Sequence, residues 1–275
     1  MTFGGLALPD SLELFTTDGL TAFRAPARGQ ERGVALFVPG FTGSKEDHRF
    51  LVALAAERGW ESFSYSQRGQ ADSVAPRGID EYSLQKLADD TVTVAQRIAR
   101  GRRVHLVGHS LGGLVARAAA ILRPEVFADL TMLCSGPGGQ GPGHHVDDAA
   151  FVTRHGTLAW WEHNNPLGAT NADEVFVRER AAASSDDNFL GMAAILRDTP
   201  DSSDELRETG LTVLVAHGDA DDAWPIATQH AMALRVGARY EVIPNAGHLP
   251  NIDNPNYTTE LLDSFWSGGE HKGES

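Results

Sequence analysis

Ser110, His248 and a cluster of aspartates are the residues of this chain whose types and settings could do chemistry together. Ser110 stands in Gly108-His-Ser110-Leu-Gly112 and His248 in Gly247-His248-Leu-Pro250. Asp219, Asp221 and Asp222 crowd into the stretch from His217 to Pro225. A serine hydroxyl is a poor nucleophile near neutral pH. It becomes an effective one when a base lies within hydrogen-bond reach and a carboxylate orients that base. Attack on a carbonyl also requires N–H donors aimed at the oxygen that turns negative. The chemistry these residues suggest is acyl transfer from a carbonyl compound to serine and on to water.

Gly-x-Ser-x-Gly also occurs in loops without chemistry, so its surroundings decide. Residues 104–107, an apolar run, predict a short buried strand. Leu111, Leu114, Val115, Ala118, Ala119 and Leu122 follow helical spacing and predict a helix over 111–122. A strand running straight into a helix forces a sharp turn with a strained residue at its tip. The flanking glycines keep bulk out of that turn. Ser110 then projects alone at the carboxyl edge of a sheet, with a helix N-terminus behind it. The aspartate cluster follows a predicted strand over 211–216, and His248 follows one over 240–243. In a parallel sheet those ends share one edge, so residues far apart in sequence can meet there.

The remaining elements supply that sheet. Residues 12–15 and 20–24 read as an opening hairpin around turn residues 16–19. Residues 34–38 are continuously apolar, as expected of a strand covered on both faces. A helix over 49–58 closes at Gly59, a strand covers 60–65, a long amphipathic helix covers 84–100, and a strand covers 130–134. Such alternation predicts a mostly parallel sheet with helices on both faces. It breaks at Ser135. Residues 136–207 hold no convincing strand: a Gly/Pro-rich run over 136–143 precedes helical pieces around 146–155, 172–183 and 188–197. After the strand at 211–216 come a helix over 226–236, the strand at 240–243 and a helix over 258–266. A polar, frayed tail is expected after Ser267.

Bulk properties narrow the partners. At 275 residues the chain suits one large domain with an insertion. The formal charge of −14 argues against nucleic acid and anionic membranes. No apolar run approaches the roughly 20 residues that span a bilayer, and residues 1–9 show no signal-peptide pattern. The single cysteine, Cys134, excludes an intrachain disulfide and reads as an inert buried thiol. A reducing cytoplasm is the default expectation.

On these motifs the chain resembles an α/β-hydrolase of the serine-nucleophile branch, with a helical cap inserted after the sixth strand. The resemblance covers residues 12–266. Gly-His-Ser110-Leu-Gly-Gly resembles the family's nucleophile elbow, Gly218-x-x-Asp221-x-x-x-Pro225 its acid loop and Gly247-His248 its base loop. Gln67-Arg68-Gly69 with Ser73 resembles the structural Asp-x-Arg-Gly-x-Gly-x-Ser segment, with Ser66, Gln70 and Ala71 departing from it. Pro39-Gly40-Phe41-Thr-Gly43-Ser44 resembles the family's His-Gly loop, with proline at the histidine position. The resemblance implies a core of residues 1–135 and 208–275 and a cap of residues 136–207. It implies Ser110 as nucleophile, His248 as base and, by spacing within the acid loop, Asp221 as acid. It implies the N–H groups of Phe41 and Leu111 as oxyanion donors, and no cofactor or metal.

Serine as nucleophile excludes the aspartate-nucleophile branches. It leaves hydrolysis of a small ester, lactone or thioester, with C–C bond hydrolysis or cofactor-free perhydrolysis by the same residues as alternatives. A C–C hydrolase would need polar cap groups such as His163, Asn164 or Asn165. A non-catalytic ligand-binding homologue is the reading from outside the enzyme class. The expected partner is a small molecule with an apolar acyl or aromatic group, and the sequence leaves the oligomeric state open. Trp160, Trp161, His109 and Leu249 are candidate pocket residues, while Phe151, Phe176 and Phe189 could pack the cap or line the pocket. His105 and His109 also read as packing histidines beside the site. Gly136-x-Gly138-x-x-Gly141 fits a dinucleotide fingerprint literally but opens no helix. Gly40 to Lys45 lacks the glycine spacing of a phosphate loop. Adjacent His144 and His145 rarely point at one ion.

Overall fold

A computed structural model describes residues 6–268. Residues 1–5 of the opening stretch and, apart from Gly268, the tail expected after Ser267 lie outside them. The chain opens with β1 (Glu13–Thr17) and β2 (Leu20–Ala25), an antiparallel hairpin. Then come β3 (Gly33–Val38), α1 (Arg49–Glu57), β4 (Trp60–Tyr65), α2 (Leu84–Ala99), β5 (Val104–His109), α3 (Leu111–Leu122) and β6 (Phe127–Leu133). Five helices follow before the next strand: α4 (Val146–His155), α5 (Thr157–Asn164), α6 (Ala172–Ala183), α7 (Asp186–Asp198) and α8 (Ser203–Glu208). The chain closes with β7 (Thr212–Gly218), α9 (Ile226–Val236), β8 (Arg239–Ile243), α10 (Pro250–Asp253) and α11 (Pro255–Trp266).

The strands form one eight-stranded sheet in the order β1-β2-β4-β3-β5-β6-β7-β8. All pairings from β4 through β8 are parallel; β2 joins β4 antiparallel. This is the α/β-hydrolase fold. The central strands are buried on both faces, which is why they read as continuous apolar runs. One face packs against α2, α3 and α9 through residues such as Leu87, Leu114 and Met232. The other packs against α1 and α11 through Leu51, Leu261 and Trp266. Among the described residues no helix is long and apolar enough to cross a membrane.

Several elements differ from the sequence reading. The strand expected at 130–134 starts at Phe127 and stops before Cys134, whose φ of +51° turns the chain off the sheet. Helices α5 and α8 fell outside the expected helical pieces. The apolar residues of α5 (Leu158, Trp160 and Trp161) form no continuous stripe, and α8 carries one buried apolar side chain, Leu206. The Gly/Pro-rich run opens no helix before Val146. Its Gly138 and Gly139 pack against the backbone around Leu196 and Thr199 instead, so it makes no dinucleotide-binding turn. Lys45 is fully buried between Glu46 and Asp72, with no route to a phosphate.

The elbow is closely packed. A Cβ on Gly112 would overlap the carbonyl oxygens of Val38 and Pro39, and one on Gly108 would overlap the Gly112 backbone. Gly112→Ala therefore pushes α3 off β3 and is expected to cost ~1–3 kcal/mol or more of stability, read as a lowered urea midpoint. Gly143→Ala, with open space around it, should leave the midpoint unchanged. Equal midpoints for the two variants would contradict this account of the elbow.

Candidate active site

Three strand ends at one edge carry the site. Ser110 follows β5, Asp221 follows β7 by three residues, and His248 follows β8 by five. Ser110 has φ +57° and ψ −126°, a conformation strained for any residue with a Cβ. Its N–H donates to the Leu133 carbonyl at 2.9 Å and its carbonyl accepts from the Gly113 N–H at 2.8 Å, which ties the strained residue to β6 and α3.

The Ser110 hydroxyl donates to His248 Nε2 at 2.9 Å, and His248 Nδ1–H donates to Asp221 Oδ1 at 2.8 Å. The Asp221 carboxylate is fully enclosed. It accepts two further bonds, from Gln229 Nε2 on Oδ2 at 2.8 Å and from the Ala223 N–H on Oδ1 at 3.1 Å. Burial opposes its ionisation, but the bonds from His248 and Gln229 and the histidine's charge outweigh it and hold its pKa below the usual carboxylate range. The buried Cys134 thiol lies against the same carboxylate; burial first, then that negative charge, raises its pKa well above the ordinary value.

Its neighbours in the aspartate cluster do other work. Asp219 accepts from the N–H groups of Asn245 and Ala246 and so braces the loop leading to His248. Asp222 is exposed. His217 is buried between the Gly218 carbonyl and the Tyr240 hydroxyl. His105 pairs with Asp129 at 2.6 Å, within β5 and β6.

His109 sits beneath the line of residues. Its Nε2–H donates to the His248 carbonyl at 2.7 Å, so the residue before Ser110 clamps the backbone of His248. Burial, then the nearby His248 and His48 rings, pushes its pKa down to about 3. Burial lowers His48 to about 4. The Cys134 sulfur and ring nitrogens of His109 and His248 lie within 4.8 Å of one another. That grouping resembles a ligand set, but both His248 nitrogens and the inward nitrogen of His109 already hold hydrogen bonds.

Above the serine, the segment 39–44 forms a tight loop. A Cβ at Gly40 would lie 3.0 Å from the Ser110 Cβ. Among the described residues, neither the Phe41 N–H nor the Leu111 N–H at the start of α3 donates to a protein acceptor. The loop is anchored by Gln67 and Gln70, whose side-chain amides donate to the Pro39 and Gly40 carbonyls, each at 2.8 Å. The sequence reading missed this role.

The inserted helices cover this loop with aromatic rings. Phe41 packs on His145 and Phe189, at centroid distances of 4.9 and 4.7 Å, and Phe189 packs on Trp160 at 4.9 Å. Asp148 joins the ends of that chain by accepting from Trp160 Nε1 at 2.8 Å and pairing with His145 Nδ1 at 3.1 Å. Beside it lies a small cavity of about 30 Å³ lined by Thr42, Trp160, Trp161, Val177, Asn188 and Phe189, among others. Of the expected pocket residues, Trp160 and Trp161 line it; His109 and the exposed Leu249 do not. Phe176 is buried under Arg180, and Phe151 stacks on His155 and His163. Ser110 is 8% exposed.

Comparison with known proteins fits this architecture. The sequence model of the alpha/beta hydrolase family matches residues 35–260. The chain belongs to the alpha/beta hydrolase family. A putative 2-succinyl-6-hydroxy-2,4-cyclohexadiene-1-carboxylate synthase of Bacillus subtilis is 25% identical over 82% of this chain and 87% of its own length. Among solved structures, the enol-lactonase of Burkholderia xenovorans LB400 superposes with a TM-score of 0.76 at 20% identity, over 93% of this chain and 100% of that one. A thermophilic esterase of Thermogutta terrifontis gives 0.73 at 22% identity, over 94% and 98%. This alpha/beta hydrolase is thus an enzyme of the hydrolase class.

The two buried histidines make a stability prediction. Unfolded, both titrate near ~6.5. Below that pH the unfolded chain binds protons that the folded hydrolase refuses, so stability falls as pH drops from about 6.5 toward about 4 for His48 and about 3 for His109. Each contributes up to ~1.4 kcal/mol per pH unit within its window. Urea unfolding from pH 7 to pH 4 should show this loss, with a shallower slope in His48→Asn. Identical slopes would remove His48 from the account.

Proposed function

We propose that this alpha/beta hydrolase cleaves small, uncharged carboxylic esters, lactones or thioesters through an acyl-enzyme on Ser110. The observation that carries this is the Ser110–His248–Asp221 line of hydrogen bonds beside two unengaged N–H groups. His248 Nε2 takes the hydroxyl proton as Ser110 Oγ attacks the carbonyl carbon. The carbonyl oxygen turns negative between the Phe41 and Leu111 N–H groups. Asp221 holds the imidazole in its Nδ1–H tautomer and stabilises the imidazolium. The intermediate collapses as His248 returns the proton to the departing alcohol or thiol. Water then attacks the acyl-enzyme, its proton passing to His248, and the acid leaves with Ser110 restored. No cofactor enters the scheme.

Residues 136–207 act as a cap in this reading, and the acyl group enters beside Phe41 by widening the small cavity there. Its lining supports an apolar, uncharged acyl group: Trp160, Trp161, Val177, Ala181 and Phe189, with no lysine or arginine. The Bacillus subtilis relative is named for a compound bearing succinyl and carboxylate groups. An anion of that kind calls for cationic side chains. The buried guanidinium nearest in the cap, Arg180, is already paired with Asp47 at 2.6 Å. The polar groups that C–C bond hydrolysis would need are engaged elsewhere. Asn164 and Asn165 donate to the Trp160 and Trp161 carbonyls, and His163 stacks on Phe151.

Ser110→Ala should take no fluorophosphonate label and show no turnover of p-nitrophenyl butyrate while keeping wild-type circular dichroism. Asp221→Asn should lower kcat roughly ten-thousand-fold. Wild-type turnover in Ser110→Ala would end the proposal. A second test concerns the pocket: Trp160→Ala enlarges the cavity and should move the preference among p-nitrophenyl esters from short to longer acyl chains. An unchanged chain-length profile would place the acyl group elsewhere.

A further inference from the structure

Gly40 and Phe41 contribute to one planar peptide unit, and the described chain contains no cis peptide bond. In a trans unit the C=O and N–H point in opposite directions. Whatever fixes the Gly40 carbonyl therefore aims the Phe41 N–H. That carbonyl accepts from Gln70 Nε2 at 2.8 Å and from the Gly43 N–H at 3.2 Å.

Gln70 is itself held rigidly. It is 1% exposed. Its Oε1 accepts from the Gln67 N–H at 3.0 Å, and its own N–H donates to the Gln67 carbonyl at 2.9 Å. Its Nε2 also approaches Met192 Sδ of α7 at 3.7 Å. Gln67 Nε2 holds the preceding carbonyl, that of Pro39. Proline has no N–H with which to anchor the loop from the other side, so two glutamines of one turn carry both carbonyls that precede Phe41. The freed N–H is unengaged and stands next to Ser110.

Resting on the serine-hydrolase reading above, we propose that Gln70 is a positioning residue for the oxyanion: its amide grips the Gly40 carbonyl so that the Phe41 N–H stays aimed at the substrate oxygen as it turns negative. Gln70 touches no substrate atom in this arrangement. Its effect is exerted through one peptide plane, so it acts on the transition state and leaves substrate binding alone.

Two variants separate that role from packing. Gln70→Met keeps the length and removes the polar end. Gln70→Glu keeps the acceptor for the Gln67 N–H and sets a carboxylate oxygen, which repels the Gly40 carbonyl, where the donor stood. Both are assayed with p-nitrophenyl butyrate in the full chain, with rates divided by the number of sites titrated to completion with a fluorophosphonate. Losing an oxyanion donor outright costs roughly 10²–10³ in kcat; a misaimed one should cost roughly 10- to 100-fold. The expected result in either variant is that fall in kcat, KM within about two-fold of wild type, and an equal weakening of inhibition by phenylboronic acid. A kcat per titrated site within about two-fold of wild type, or a loss confined to KM, overturns the role of Gln70. Label on the wild type with no change in the variants overturns it alone. A wild type that takes no label at Ser110 removes the hydrolase reading, and the role of Gln70 with it.

Discussion

The structure depends on the close backbone contact at the sharp turn that carries Ser110. Ser110 holds φ +57° only because its N–H is tied to β6 and its carbonyl to α3. Gly112 lets α3 lie directly on the carbonyls of Val38 and Pro39. That approach brings the loop of Gly40 and Phe41 against Ser110, so the same contact that strains the serine also positions the two free N–H groups. A strained conformation of this kind persists where surrounding packing over-determines it. Here the over-determination comes from buried parallel strands on either side.

Around that contact the polar groups are arranged so that charge appears in one place. Asp221 is ionised through three hydrogen bonds, one of them from a glutamine that carries no charge. His109, against His248, and His48, against His109, are kept neutral by burial. In the proposed reaction an imidazolium on His248 therefore meets one compensating carboxylate and no competing cation. The interaction is strong because the site is shielded from water.

The inserted helices contribute apolar surface and closure. Their rings reach the loop over Ser110 through Phe41, and Asp148 ties the two ends of the ring chain together. Arg180 binds α6 to Asp47, just beyond the loop. Asn251, shortly after His248, binds the backbone of the same Asp47. One short turn after the 39–44 loop thus receives both the insertion and the loop of His248.

The sequence by itself determined the sheet, its edge and the residues standing there. Continuous apolar runs such as 34–38 and the alternation of strand and helix are local patterns, since buried strands and amphipathic helices impose their periods on the chain. Ser110, Asp221 and His248 stood out because each follows a strand in a loop of recognisable spacing. Tertiary structure decided what no local pattern encodes. Gln67, Gln70 and Gln229 look like ordinary polar residues until the fold sets their amides against the Pro39 carbonyl, the Gly40 carbonyl and the Asp221 carboxylate. His109, weighed as a pocket residue, instead clamps a backbone carbonyl 139 positions away. Helices α5 and α8 are short and bury only two residues each, so they leave no clear apolar stripe in the sequence. Hydrogen bonds between distant positions leave no periodicity in a sequence, and so they appear only once the chain has folded.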